Sequence, residues 1–331
     1  MAHKIMKRFV HTLLAAVTFT IAPLGAWCGA ETIRLAAQKT GTFAWELAVI
    51  RAHGLDRRAN LTIEVLDLAS PEAGKIALRA GNADVMVSDW LFVSRERALG
   101  AKLTFYPYSS ALGAVMVPAS SPIRSLADLR GRKVAIAGGP IDKSWLLLQA
   151  SLKQDGIDLK SEATIAYGAP PLLSAKTLDG EMDATLNYWN FCAALEAKGF
   201  RRLVGMEDIL PKLGAKGRIA MVGYVFDEAW GDANKDAVAR FIAMTRAAKE
   251  ILSTSDAEWE TIASLTGASD AATLHAYRDR YREGIPRRSI ADEEDDARIL
   301  YRVLAGVGGR ELVGPAQELE PGTFYHAIPG D

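Results

Sequence analysis

Two ten-residue stretches hold the densest set of groups able to bind a small molecule. Gly81-Asn82-Ala83-Asp84-Val85-Met86-Val87-Ser88-Asp89-Trp90 and Gly180-Glu181-Met182-Asp183-Ala184-Thr185-Leu186-Asn187-Tyr188-Trp189 share Gly, Asp and Trp at the same offsets. Between them runs an apolar alternation that reads as a strand. The stretches end in Ser88, Asp89 and Trp90 and in Asn187, Tyr188 and Trp189, hydrogen-bonding groups followed by a stacking face. Open parallel sheets hold ligands outside the carboxyl ends of their strands. Two similar lobes are therefore expected, each offering one ring and a few polar groups to something held between them. Core packing is the competing reading for both tryptophans, since Trp is mostly buried.

Two loops add to this set. Gln38-Lys39-Thr40-Gly41-Thr42 and Gly138-Gly139-Pro140-Ile141-Asp142-Lys143-Ser144 each run from a strand end into a helix start. Free backbone N–H groups and the helix dipole suit such a position to an anion or a polar head group. Lys39, Thr40, Thr42, Gly139, Asp142, Lys143 and Ser144 are candidate contacts, with helix capping by Asp142 or Ser144 as the structural alternative. Tyr224, on a strand expected to return to the first lobe, completes the candidates. The second loop nearly matches a phosphate-binding loop, but Asp142 stands where a glycine is required. The charges disagree: Lys39 and Lys143 favour an anion, Asp89 and Asp142 a cation or donors. A zwitterion, a heterocycle with several N–H groups or a chelated metal would each satisfy the mixture.

Metal and catalytic motifs are weak or missing. His53, His275 and His326 are scattered, without a helix-spaced pair. The acidic run Asp292 to Asp296 opens a helix, where carboxylates complement the dipole, and lacks the spacing of a calcium loop. There is no Gly-x-Ser-x-Gly elbow, no cysteine with a plausible base and no zinc motif. The expectation is a binding protein without cofactor or catalytic residues.

The elements that must position these groups repeat as well. Ile33 to Ala37 and Val134 to Ala137 read as strands, and Phe43 to His53 and Lys143 to Asp155 as helices. Leu61 to Leu68 and Ala163 to Tyr167 are second strands, followed by a helix and the Gly-x-x-Asp strand. Both halves thus read β-α-β-α-β, the pattern of a parallel sheet with right-handed crossovers. Trp145, with Leu148 and Leu152, and Trp45, with Ala48 and Ala52, lie on apolar helix faces and are expected in the core. A first hinge is expected near Ser109 to Gly113 and a return crossing at Arg218 to Phe226. Helices are expected at Ser125 to Arg130, Lys235 to Leu252, Asp256 to Leu265, Ala271 to Arg282 and Ile290 to Leu304. Ser255 and Glu258 form a capping box, and the helices after the return should pack on the first lobe. The expected divisions are 1–30, 31–110 for the first lobe, 111–217 for the second, and 218–331 for the return and the C-terminal helices.

Residues 1–30 have the plan of a secretory signal: a basic head of Lys4, Lys7 and Arg8, an apolar stretch from Phe9 to Ala22, and small residues at Cys28-Gly29-Ala30. Acylation of Cys28 is the alternative, disfavoured by Trp27. Cleavage before Glu31 removes three positive charges and no negative ones, taking the net charge from −1 to −4. Nucleic-acid binding, which needs a basic footprint, is not expected. Cys192 is then the only cysteine, so no internal disulfide can form, and its apolar neighbours suggest a buried thiol.

The run Ser121-Pro122-Ile123-Arg124-Ser125-Leu126-Ala127-Asp128-Leu129-Arg130-Gly131-Arg132-Lys133-Val134-Ala135 resembles a segment of periplasmic substrate-binding proteins of the nitrate, taurine and alkanesulfonate importer type. That group includes proteins for thiamine-pyrimidine precursors, whose enzymes carry a cysteine-rich segment with no counterpart here. The resemblance implies an α/β, two-lobed type II binding-protein fold with two crossover strands. It also implies closure on a small molecule and docking on an inner-membrane ABC permease, and a monomer in the periplasm is expected. The rival reading is an accessory or sensor protein that serves an exported enzyme without transport.

Overall fold

The computed structural model describes residues 30–38, 41–68 and 70–328. The leader expected over 1–30 lies outside the described residues except for Ala30, as do the candidate contacts Lys39 and Thr40.

The repeated Gly-x-x-Asp does the same mechanical work in both halves. Gly81 and Gly180 end their helices at φ of 69° and 75°, the left-handed region that glycine enters at low cost. Three residues later the aspartate turns back on the first strand of its half. Asp84 N–H donates to the Arg34 carbonyl at 2.8 Å while its carboxylate accepts from Arg34 N–H at 2.8 Å. Asp183 N–H donates to the Lys133 carbonyl at 2.9 Å and its carboxylate accepts from Lys133 N–H at 2.8 Å. This two-point clamp joins the first and third strands of each β-α-β-α-β unit.

The strands are β1 (Glu31–Gln38), β2 (Leu61–Leu68), β3 (Val85–Asp89), β4 (Leu103–Ser109), β5 (Ala114–Pro118), β6 (Lys133–Ala137), β7 (Thr164–Gly168), β8 (Ala184–Asn187), β9 (Phe200–Gly205) and β10 (Val222–Asp227). They form two five-stranded sheets, ordered β2-β1-β3-β10-β4 and β7-β6-β8-β5-β9. β1 is parallel to β2 and β3, and β6 to β7 and β8. β10 runs antiparallel between β3 and β4, and β5 antiparallel between β8 and β9. The chain passes from the first sheet to the second through Ser110–Gly113, and returns between β9 and β10. Gly113 is required there: a Cβ would lie 2.1 Å from the Asn187 carbonyl oxygen.

The C-terminal helices depart from expectation. Lys235–Thr254 and Asp256–Thr266 pack on Phe43–Ala52 of the first lobe, as expected, but Ala271–Glu283 packs on Trp189–Ala197 of the second. The last helix, Ile290–Val313, touches both Trp90–Ala98 and Lys143–Gln154 and runs past Leu304 through a kink at Gly309. These two helices bridge the lobes, so one apolar core is shared by both. Ser125 to Arg130 is a 3-10 turn, Leu126–Leu129. The Ser255 hydroxyl accepts from Glu258 N–H at 3.2 Å, but the box stays half-formed because the Glu258 carboxylate bonds His53 at 2.9 Å instead.

Candidate functional site

The end of β3 meets the loop after β6 through charge. Asp89 caps the helix Trp90–Ala98, one carboxylate oxygen accepting from Phe92 N–H at 2.8 Å, as short polar side chains do at this position. Its other oxygen lies 2.8 Å from Nζ of Lys143, the first residue of a helix in the second lobe. Burial works against both charges, but Lys143 with the Phe92 N–H offsets it at Asp89, and Asp89 with Asp142 offsets it at Lys143. Asp89 is held below the usual carboxylate range and Lys143 above the usual ammonium range.

Asp142 continues the chain of polar groups. It accepts from Ser144 N–H at 3.0 Å and Trp145 N–H at 3.4 Å, and from the Tyr188 hydroxyl. Burial raises its pKa in spite of Lys143 and these donors. Burial and the Asp142 charge likewise push the Tyr188 phenol up. Gly138, at φ 87°, makes the contact possible, since a Cβ would stand 2.8 Å from both the Asp142 carboxylate and the Tyr188 hydroxyl.

An aromatic contact closes beside this chain. Trp189 meets Trp45 of the first lobe edge-on, with centroids 5.8 Å apart at 83°, and lies 6.4 Å from Tyr281. Such geometry aligns ring edge with ring face. Trp45 also packs against Trp259 at 5.7 Å and Tyr277 at 5.5 Å. Its neighbour Glu46 is fully buried and takes the Lys249 ammonium on both oxygens, at 2.6 and 2.5 Å, and the Tyr281 hydroxyl at 2.5 Å. Lys249 Nζ sits 4.1 Å above the Tyr108 ring, a cation–π contact. Burial lowers the Lys249 pKa although Glu46 opposes it. Removing either partner would strand a buried charge.

The candidate residues divide into three groups. Asp89, Asp142, Lys143, Tyr188 and, through its backbone, Ser144 form one cross-lobe set, with Trp189 beside it. Ser88 is half-buried at the end of β3, Gly139 borders open space, and Thr42 occupies an N-cap without a side-chain cap bond while pairing with Tyr108. Asn187 and Tyr224 face inward: Asn187 donates to the Pro170 carbonyl and Ser174 Oγ, and Tyr224 packs on Phe43, Tyr108 and Phe241.

Trp90 does not face Trp189. It opens a helix whose first turn is buried throughout, from Trp90 to Val93, so its ring has no open face, and its indole N–H has no acceptor among the described residues. Trp45 supplies the first lobe's ring instead. Trp45 and Trp145 are buried as expected, and burial pushes the Cys192 thiol up to about 12.

Glu46, Lys249, Tyr108 and Tyr281 escaped the sequence reading. The available signal was a lone carboxylate inside the apolar run Phe43-Ala44-Trp45-Glu46-Leu47-Ala48-Val49-Ile50.

Comparison with known proteins agrees with this architecture. The periplasmic aliphatic sulphonate binding protein SsuA of Escherichia coli is 20% identical, with a TM-score of 0.71 over 89% of this chain and 92% of that one. The alkanesulfonate-binding protein SsuA of Xanthomonas axonopodis pv. citri, bound to MOPS, is 20% identical with a TM-score of 0.65 over 89% and 98%. The desulfurization enzyme DSZB is 16% identical with a TM-score of 0.53 over 87% and 97%, so the fold also hosts catalysis. No curated protein matches the chain significantly. The sequence matches the NMT1/THI5-like family over residues 48–257. With two β-α-β-α-β lobes joined at a double crossing and this match across more than half its length, the chain belongs to the NMT1/THI5-like family and has the two-lobed fold of periplasmic binding proteins.

Proposed function

We propose that the protein is the periplasmic solute-binding component of an ABC importer. It captures a small polar, aromatic or amphoteric molecule between its lobes and delivers it, as a monomer, to a membrane permease. The observation that carries this reading is the meeting of the lobes at their strand ends, through Asp89 with Lys143 and Trp45 with Trp189. A surface that pairs with itself through matched charge and two ring edges can exchange those contacts for a ligand's. Family membership and sulfonate-binding neighbours of the same fold support it. We read a binder and not an enzyme because the strand-end acids are engaged: Asp142 caps a helix, Asp89 caps and pairs, and the Cys192 thiol is buried.

Native mass spectrometry of protein purified from its own periplasm tests the proposal. A small molecule should accompany the native chain, leave on denaturation, and be reduced at least about ten-fold in Lys143→Gln, the loss expected on removing one charge-assisted contact. Recovery of a stable complex with an exported enzyme, and of no small molecule, would reject the importer reading.

A further inference from the structure

Between the two crossings lies a cavity of about 390 Å³, within the range of small-molecule sites. Three stretches far apart in sequence wall it: Ser110 in the first crossing, Arg218 ahead of β10, and the segment 282–288, with Glu293 behind. None of the strand-end residues lines it.

Charge decides what the cavity would take. Arg218, Arg282, Arg287 and Arg288 face it, against Glu283 and Glu293. Arg282 is neutralised by Asp256 at 2.8 Å and Arg288 by Asp296 at 2.6 Å. Glu283 pairs with Arg280 at 2.8 Å, and the buried Glu293 carboxylate is turned onto Ala220 N–H at 2.9 Å. Arg218 gives Nη1 to the Glu283 carbonyl at 2.7 Å but has no carboxylate partner among the described residues. Arg287 has no hydrogen-bond or ion-pair partner among them. Two exposed guanidiniums without a carboxylate partner among the described residues thus border one space. An oxyanion between them would accept paired N–H donors from each planar fork.

A narrower pocket with room of about 10 Å³, no more than one water, shares Ser110, Arg218 and Glu283 with the cavity and reaches Trp189. Glu207 lines this passage with one carboxylate oxygen unpartnered. Glu207 pairs through its other oxygen with Arg202 at 3.2 Å, and Arg280 beside them pairs with Glu196 at 2.8 Å, so the charges peculiar to the passage are matched.

We propose that the cavity between the crossings is a second ligand site, separate from the strand ends. It takes a small molecule with an oxyanion head, whether carboxylate, sulfonate or phosphate, gripped by Arg218 and Arg287.

Calorimetric titration with ethanesulfonate, succinate and inorganic phosphate, each at two salt concentrations, tests this and ranks the three head groups. At least one probe should bind with a stoichiometry of one per chain. Arg218→Gln and Arg287→Gln should each weaken it at least about ten-fold, and the double variant further. Arg58→Gln, which removes an exposed cation on another face, should leave the affinity unchanged. Native affinity in the double variant overturns the proposal, as does an equal loss in Arg58→Gln, which would mean general surface charge. Loss in Lys143→Gln in place of the hinge variants would move the anion to the strand ends and equally overturn it, as would failure of all three probes to bind.

Discussion

Trp90 and Trp189 hold equivalent places in the repeat, yet the first is wholly buried and the second half-buried against a ring from the other lobe. Their truncations should differ accordingly. Trp90→Ala and Trp145→Ala should each cost about 3–5 kcal/mol of stability, as large core deletions do. Trp189→Ala should cost about 1–2 kcal/mol and act mainly on ligand binding; denaturant unfolding beside ligand titration separates the two effects. Equal losses in all three would make Trp189 a core residue as well. Glu293 gives a residue-level test in pH. Burial, aided by Asp296 and opposed by Ala220 N–H and Arg288, raises its carboxyl from 4.5 to about 7. Between those values the folded chain binds more protons than the unfolded one, so stability falls as pH rises through that window, and the penalty is complete above it. Glu293→Gln keeps an acceptor for Ala220 N–H. It should therefore be more stable than the native chain at pH 8, with the gain vanishing towards pH 4.5 in thermal melts across that range. What the sequence revealed at this scale was the Asp142 cap, because a cap is local; the Asp89 cap and its pairing with Lys143 across the lobes went unread. Trp90 misled, since a position at a strand end does not say which way the first helical residue rotates. The Glu46–Lys249 pair was hidden because its members stand 203 residues apart.

At the scale of elements, the Asp84 and Asp183 clamps explain why the two β-α-β-α-β halves were legible: one short motif sets a turn, a strand start and a register. The clamps are not equal. Asp84 is buried and takes the Arg34 backbone N–H and its guanidinium, whereas Asp183 takes a single exposed N–H. Asp84→Ala should cost about 2–3 kcal/mol and Asp183→Ala about 1 kcal/mol, measured by chemical unfolding. The reverse order would show that the second lobe depends more on its clamp. The C-terminal segment was less legible. Phe105 N–H donates to the Thr323 carbonyl at 2.8 Å and Tyr325 N–H to the Phe105 carbonyl at 2.9 Å, covering the outer edge of β4 with a stretch too short to show a strand pattern. Nor did periodicity reveal that the helices Ala271–Glu283 and Ile290–Val313 serve both lobes, because an apolar stripe shows that a face is covered and not by what.

For the whole molecule, Asp89 with Lys143 and Trp45 with Trp189 tie the lobes at the strand ends, and the two bridging helices tie them as well, Ala271–Glu283 through Tyr277 and Tyr281 beside the tryptophan contact. If the strand-end ties hold the lobes together, Asp89→Asn combined with Trp189→Ala should enlarge the ligand-free radius of gyration in small-angle scattering, as expected for hinge rotation. Unchanged dimensions would mean that the bridging helices alone fix the lobe angle. The placement of β10 also sets an order of assembly. All five strands of the second sheet lie within residues 114–205, whereas the first sheet cannot close until residues 222–227 enter between β3 and β4. As the chain emerges during synthesis, the second lobe can complete its pairing while β3 and β4 still lack their shared neighbour. Those bare edges, held open across more than a hundred residues of chain, are the contacts a slow, non-local topology leaves to the end and the surface most exposed to misassociation. The half of the molecule that begins the chain is thus the half whose sheet closes last.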